Sequence, residues 1–184
     1  MAPSSIHLDI KKEERREITH MVLNKESHIA KGRIEAEKTL KDNFIESPPV
    51  VIHELVENYG LTVFRASFDD KDIAGYIDFD KKWIVVNKED SIRRQNFSIA
   101  HELGHWLMHP DEVKADKNNI RIFYRKPIGG ETEPLEIEAN AFAAYLLVPE
   151  RMLKEYQEKS DIELVRLFNV SQSLIGFRKM NLRG

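Results

Sequence analysis

The segment Phe97–Pro110, "FSIAHELGHWLMHP", carries three histidines four residues apart, with one glutamate between the first two. On an α-helix, residues i and i+4 project from nearly the same side, one turn apart, so His101 and His105 can aim their rings at one point. Around them stand Phe97, Ile99, Ala100, Leu103, Gly104, Trp106, Leu107 and Met108, all uncharged. Such a helix is expected to be buried. Burying a carboxylate beside two imidazoles with no compensating partner costs several kcal/mol. A bound divalent cation removes that cost. Two histidines at this spacing can hold a tetrahedral Zn2+ ion.

Glu102 points about 100° round the helix from His101. It can therefore act on a water molecule without being a ligand, which is the H-E-x-x-H arrangement of metallopeptidases, with the glutamate as general base. A catalytic site of this type needs a third protein ligand. His109 lies about 12 Å along the helix axis from His101, too far to share one ion, and is expected to cap the helix C-terminus. A second apolar segment, "PLEIEANAFAAYLLVPE" (Pro134–Glu150), offers Glu136 with Asn140 one turn on. A carboxylate completes a His2Glu set, and Asn140 can orient a ligand imidazole. Glu138, on nearly the opposite face, is the alternative ligand. The small residues Ala139, Ala141, Ala143, Ala144 and Gly104 would let the two helices approach closely. Zinc is the expected ion, and manganese suits the same donors.

The pattern of the other segments indicates an α+β domain. Residues 1–10 read as a loose tail. From Lys11 to about Glu46 the chain is charge-dense and helical, with Ile18, Met21, Val22, Ile29, Ile34 and Leu40 as its apolar face. "VVIHELVENYG" predicts a helix stopped by Gly60. The alternating β-branched and aromatic runs at 61–66, 73–80 and 82–87 predict a small three-stranded antiparallel sheet beside the histidine helix. "IRIFYR" is one further candidate strand before Gly129-Gly130. "KWIVVN" or "GYIDF" is the expected edge for an extended peptide, and Tyr76, Tyr124 and His109 are candidate donors to an oxyanion. The C-terminal stretch opens with a capping box, Ser160 to Glu163, and a second N-cap at Ser171. Its two helices resemble a helix-turn-helix, with Arg178, Lys179 and Arg183 adding positive charge. A single such unit lacks the third helix of an independent DNA-binding domain, so the expectation is a hairpin packed on the core.

With 28 Lys+Arg against 31 Asp+Glu, the formal charge is -3, which argues against nucleic-acid binding through bulk charge. There is no cysteine, which excludes disulfides and thiolate metal ligands. No signal-peptide core and no apolar run of about 20 residues is present, so no membrane span and a cytoplasmic location are expected.

Four stretches together resemble the ImmA/IrrE family of metallopeptidases: "PPVVIHELVENYGLTVF", "AGYIDFDKKWIVVN", "RRQNFSIAHELGHWLMHP" and "PLEIEANAFAAYLLVPE". The resemblance covers residues 31 to 184. Val148 stands before the proline where Met is common in the family. The resemblance implies a mostly helical zincin-like metallopeptidase domain over 31–158, preceded by an N-terminal extension, 1–30, and followed by the hairpin 159–184. It implies a metal ion on His101, His105 and Glu136, with Glu102 as base. It further implies a protein substrate, a helix-turn-helix transcriptional repressor whose cleavage switches on mobile-element, phage or stress genes. The competing reading is a non-catalytic antirepressor that binds a repressor or DNA and uses the metal structurally.

Overall fold

Helix α5 (Pro134–Leu147) is buried on every side from Glu136 to Leu147, as expected of a helix apolar all round. The rest of the molecule is arranged about it. The computed structural model describes residues 12–114, 120–124 and 133–182. The tail at 1–10, Gly129-Gly130 and Arg183 lie outside them. In chain order the described elements are α1 (Lys12–Asp42), α2 (Ile52–Asn58), β1 (Thr62–Ala66), β2 (Ile73–Asp78), β3 (Trp83–Asn87), α3 (Ile92–Met108), α4 (Pro110–Lys114), β4 (Ile120–Tyr124), α5, α6 (Glu150–Glu155), α7 (Asp161–Leu167) and α8 (Gln172–Asn181). No helix among the described residues is long and apolar enough to cross a membrane.

The local signals act as their chemistry requires. Ser91 caps α3 by accepting a hydrogen bond from the Arg94 amide, and Pro134 opens α5 at a position where no amide hydrogen is needed. Gly60 ends α2 at φ 72°, a conformation that costs a residue with a Cβ. Pro110 does more than stop α3. It starts the short helix α4.

The sheet differs from the three-stranded antiparallel one expected. It has four strands in the order β1-β3-β2-β4 and is mixed. β2 and β3 form an antiparallel hairpin whose turn is held by Asp78, which accepts from the Lys81 amide at 3.0 Å. β1 pairs parallel with β3, and β4 adds antiparallel to β2. Strand periodicity specifies which residues are extended and which face they take, but not the neighbour they pair with. The segment between β1 and β2 carries the chain past β3, and that crossover leaves no mark in the pattern. One consequence matters for function. β2 and β3 are interior, so neither "KWIVVN" nor "GYIDF" offers an edge. The edges are β1 and β4.

α1 is one long helix, and its buried stripe coincides only in part with the expected apolar face: Leu40 is in the core and Ile29 packs against it. Met21, Val22 and Ile34 are exposed, while Gly32, Ala36, Thr39 and Leu40 face the core. At Gly32 the approach to α5 is close: a Cβ there would lie 2.3 Å from the Glu138 carbonyl oxygen and 2.8 Å from the Ala141 Cβ. Gly104 has the same function between α3 and α5, where a Cβ would meet the Phe142 ring at 3.0 Å.

The C-terminal helices α7 and α8 pack on this frame. Arg178, expected to add surface charge, is instead fully buried. Its guanidinium lies 3.5 Å from the Tyr145 ring centroid, and its Nε donates to the Val148 carbonyl at 3.0 Å. It thus satisfies the C-terminal end of α5. Lys179 is paired with Asp161.

Replacing Gly32 with Ala should force α1 off α5 and destabilise the fold by about 1–3 kcal/mol. Urea unfolding monitored by circular dichroism should show a lower midpoint. An unchanged midpoint would contradict this seating of α1.

Candidate metal centre

Three polar groups converge between α3 and α5. The Nε2 atoms of His101 and His105 are 3.0 Å apart. Glu136, in the first turn of α5, places Oε2 at 3.3 Å from His101 Nε2 and Oε1 at 3.3 Å from His105 Nε2. A tetrahedral ion with bonds of about 2.0–2.1 Å separates its ligand atoms by about 3.3 Å. The three spacings therefore match a shared cation, and these residues can hold one.

The hydrogen bonds behind the rings sharpen the point. His101 Nδ1 lies 3.1 Å from Asn140 Oδ1, which can only accept, so Nδ1 carries the hydrogen. His105 Nδ1 lies 2.9 Å from His109 Nδ1, and His109 Nε2 lies 2.9 Å from Glu138 Oε2. The carboxylate takes the hydrogen of His109 Nε2, which leaves His109 Nδ1 as acceptor for the hydrogen of His105 Nδ1. Burial favours the neutral His105 ring, depressing its pKa to about 3 despite the opposing pull of Glu136. In the neutral rings both Nε2 lone pairs face each other and a carboxylate, an arrangement that a shared cation would make favourable.

Glu102 is fully buried, and neither of its carboxylate oxygens has a hydrogen-bond partner. Burial raises its pKa well above the ordinary carboxylate value, and the neighbouring Glu136 raises it further, against a smaller opposing pull from Arg121. A buried carboxyl group with no protein partner, close to three converging donors, is the kind of group that can take part in proton transfer.

A sequence profile of the IrrE N-terminal-like domain, a metallopeptidase family, matches residues 56–180. This chain belongs to that family. The match begins later than residue 31, where the motif resemblance places it, and leaves α1 and most of the segment before α2's end outside. A curated relative is the uncharacterised immunity region protein 2 of Bacillus phage phi105, 31% identical over 88 residues, which are 47% of this chain and 51% of the phage protein. Among solved structures, a Mycobacterium tuberculosis transcriptional regulator matches with a TM-score of 0.56 at 17% identity, over 78% of this chain and 44% of that one. The latter is a likeness of fold. The chain spans about half the length of the relatives it matches.

Within this IrrE-like domain the sequence-derived candidates fall into two groups. His101, Glu102, His105, Glu136 and Asn140 are brought together. Glu138, the alternative ligand, turns away from the gap: it accepts from His109, His28 and Lys31. Those partners hold its carboxyl down to about 2 against the upward effect of burial. His109 occupies the cap position of α3, but its ring is buried between His105 and Glu138 rather than solvated, so it is not free to bind an oxyanion. Tyr124 is exposed on β4.

Two residues of β4 were not singled out by sequence reasoning. Phe123 stacks on the His101 ring, with centroids 3.8 Å apart and planes 19° apart. Arg121 donates to Glu136 Oε1 through Nε at 3.1 Å and Nη2 at 2.8 Å. Only the short alternation of "IRIFY" hinted at them, and it could not reveal which helix the strand would face.

Replacing His101 with Ala should abolish stoichiometric metal binding, measured by plasma emission after dialysis against chelator-treated buffer. Zinc content equal to that of the unaltered chain would rule out this ligand set.

Proposed function

We propose that the chain is a zinc-dependent endopeptidase that cleaves a helix-turn-helix transcriptional repressor, using His101, His105 and Glu136 as metal ligands and Glu102 as general base. The observation that carries this reading is the partnerless, buried Glu102 carboxylate beside three converging donors. A purely structural ion needs no base and usually has all four positions filled by protein. Manganese is compatible with the same donors.

His101, His105 and Glu136 would hold the divalent ion, which when bound would polarise a carbonyl and make water nucleophilic near neutral pH. Glu102 accepts the proton of the attacking water and delivers it to the leaving amine, and the high proton affinity that burial gives it suits both steps. Arg121 brings a fixed positive charge to the Glu136 side of the site, where it can stabilise negative charge developing on the scissile carbonyl. The hydrogen bonds at Nδ1 of His101 and His105 favour the tautomer that presents Nε2 to an ion.

The peptide-binding edge is β4. It pairs with β2 on one side only, among the described strands, and it carries both Arg121 and Phe123. An extended segment added along its other side would pass beside Glu136. The choice of a repressor as substrate rests on the family resemblance, and the phage relative's name, an immunity region protein, agrees with a role in gene control.

The test is to mix the zinc-loaded protein with the repressor encoded next to its gene and follow cleavage by mass spectrometry. Glu102→Gln should retain zinc and fold while losing activity by about 10²–10⁴-fold. Cleavage at the unaltered rate by this variant would exclude the mechanism. Repressor binding without any cleavage would favour the antirepressor reading instead.

A further inference from the structure

The hydrogen bonds that begin at His105 do not stop at its neighbour. His105 Nδ1 donates to His109 Nδ1 at 2.9 Å, and His109 Nε2 donates to Glu138 Oε2 at 2.9 Å. The other oxygen of Glu138 accepts from His28 Nδ1 and from Lys31 Nζ, the latter at 3.0 Å. His109 and Glu138 are buried, and His28 is largely so. The path therefore runs from a metal ligand on α3, through the end of that helix and the middle of α5, to α1.

The backbone is shaped to permit the last link. His28 and Gly32 are one helical turn apart on α1. The missing Cβ of Gly32 lets α1 rest against the Glu138 carbonyl, and this places His28 and Lys31 over the Glu138 side chain. α1 precedes residue 56, where the family match starts.

We propose that α1 is a working part of the metal centre: His28 and Lys31 fix Glu138, Glu138 fixes His109, and His109 fixes the ring of His105 so that Nε2 faces the ion. His109 and Glu138 are positioning residues here, and α1 supplies the anchor that the matched family segment does not contain. The inference rests on the metal-site reading above. It does not depend on the peptidase reaction.

A ligand imidazole rotates about its side-chain torsions unless its second nitrogen is held. His101 is held locally by Asn140, whereas His105 is held by a chain of groups that ends on another helix. Loosening that end should therefore be felt at the metal through His105 alone.

The test measures Zn2+ affinity by competition with a chromophoric chelator, together with the visible spectrum of the Co2+-loaded protein. Glu138→Ala and His28→Ala should each weaken zinc binding, by about 10–100-fold for the first and less for the second, and should shift the Co2+ bands. Glu138→Gln, which can still accept from His109, should fall between Glu138→Ala and the unaltered chain. Leu40→Ala is the control, because it loosens the packing of α1 on the core without touching the path. It should lower thermal stability and leave affinity and spectrum unchanged. Equal loss of affinity in Leu40→Ala would overturn the proposal, since the effect would then be general loosening. Unaltered protein that binds zinc, with Glu138→Ala and His28→Ala binding equally well, would overturn it while leaving the metal site standing. Failure of the unaltered protein to bind either ion would overturn both.

Discussion

The constraint that shapes the rest of the structure is the convergence of two imidazole Nε2 atoms and a carboxylate within about 3.3 Å of one another in a buried space, a geometry that a shared cation would make favourable. The donors come from two helices, so α3 and α5 must lie almost in contact. Gly104 and the alanines of α5 serve that requirement, and Phe142 fills the space beside Gly104. A helix packed so closely on one neighbour must also be covered on its other sides. α1 and the C-terminal helix α8 cover α5, each using a specific device: Gly32 in one case, and the buried Arg178 stacked on Tyr145 in the other.

The sheet contributes through its edge rather than its face. By joining β2 on the outside, β4 brings an aromatic ring against His101 and a guanidinium against Glu136. The stacking of Phe123 restricts one ligand ring, and Asn140 fixes the same ring's tautomer. His101 is thus restrained from two directions by local groups. Of the two edge strands among the described residues, β4 is the one beside the candidate metal site, so the wall of that site and the candidate peptide-docking line are the same element.

Much of the site was legible in the sequence because its grammar is local. The i, i+4 spacing of His101 and His105, the position of Glu102 between them, and the Glu136–Asn140 pair on one face of a helix are all fixed by helical geometry alone. The capping residues Ser160 and Ser171 are local in the same sense. What was not legible concerns which surfaces meet. Of the apolar residues expected on one face of α1, Leu40 and Ile29 do meet the core, but the rest of the buried stripe is Gly32, Ala36 and Thr39, small residues that a count of hydrophobic side chains overlooks. The parallel pairing of β1 with β3 depends on a crossover with no periodic signature. Arg178 looked like surface charge because a buried arginine is rare, and only its partners, Tyr145 and Val148, explain it.

Two glutamates two residues apart illustrate how one helix can serve two ends. On α5, Glu136 and Glu138 differ by about 200° in direction. Glu136 faces the gap between the histidines. Glu138 faces α1, yet it also reaches His109, because that residue lies beyond the last turn of α3, where the chain departs from the helix axis at φ -127°. A third histidine four residues beyond the second cannot be a ligand on a straight helix, and here it is not positioned as one. Seen against α5, the end of α3 sets the His109 ring between the Glu138 carboxylate and the His105 ring. The same spacing that excludes His109 from the metal therefore places it where it can hold His105.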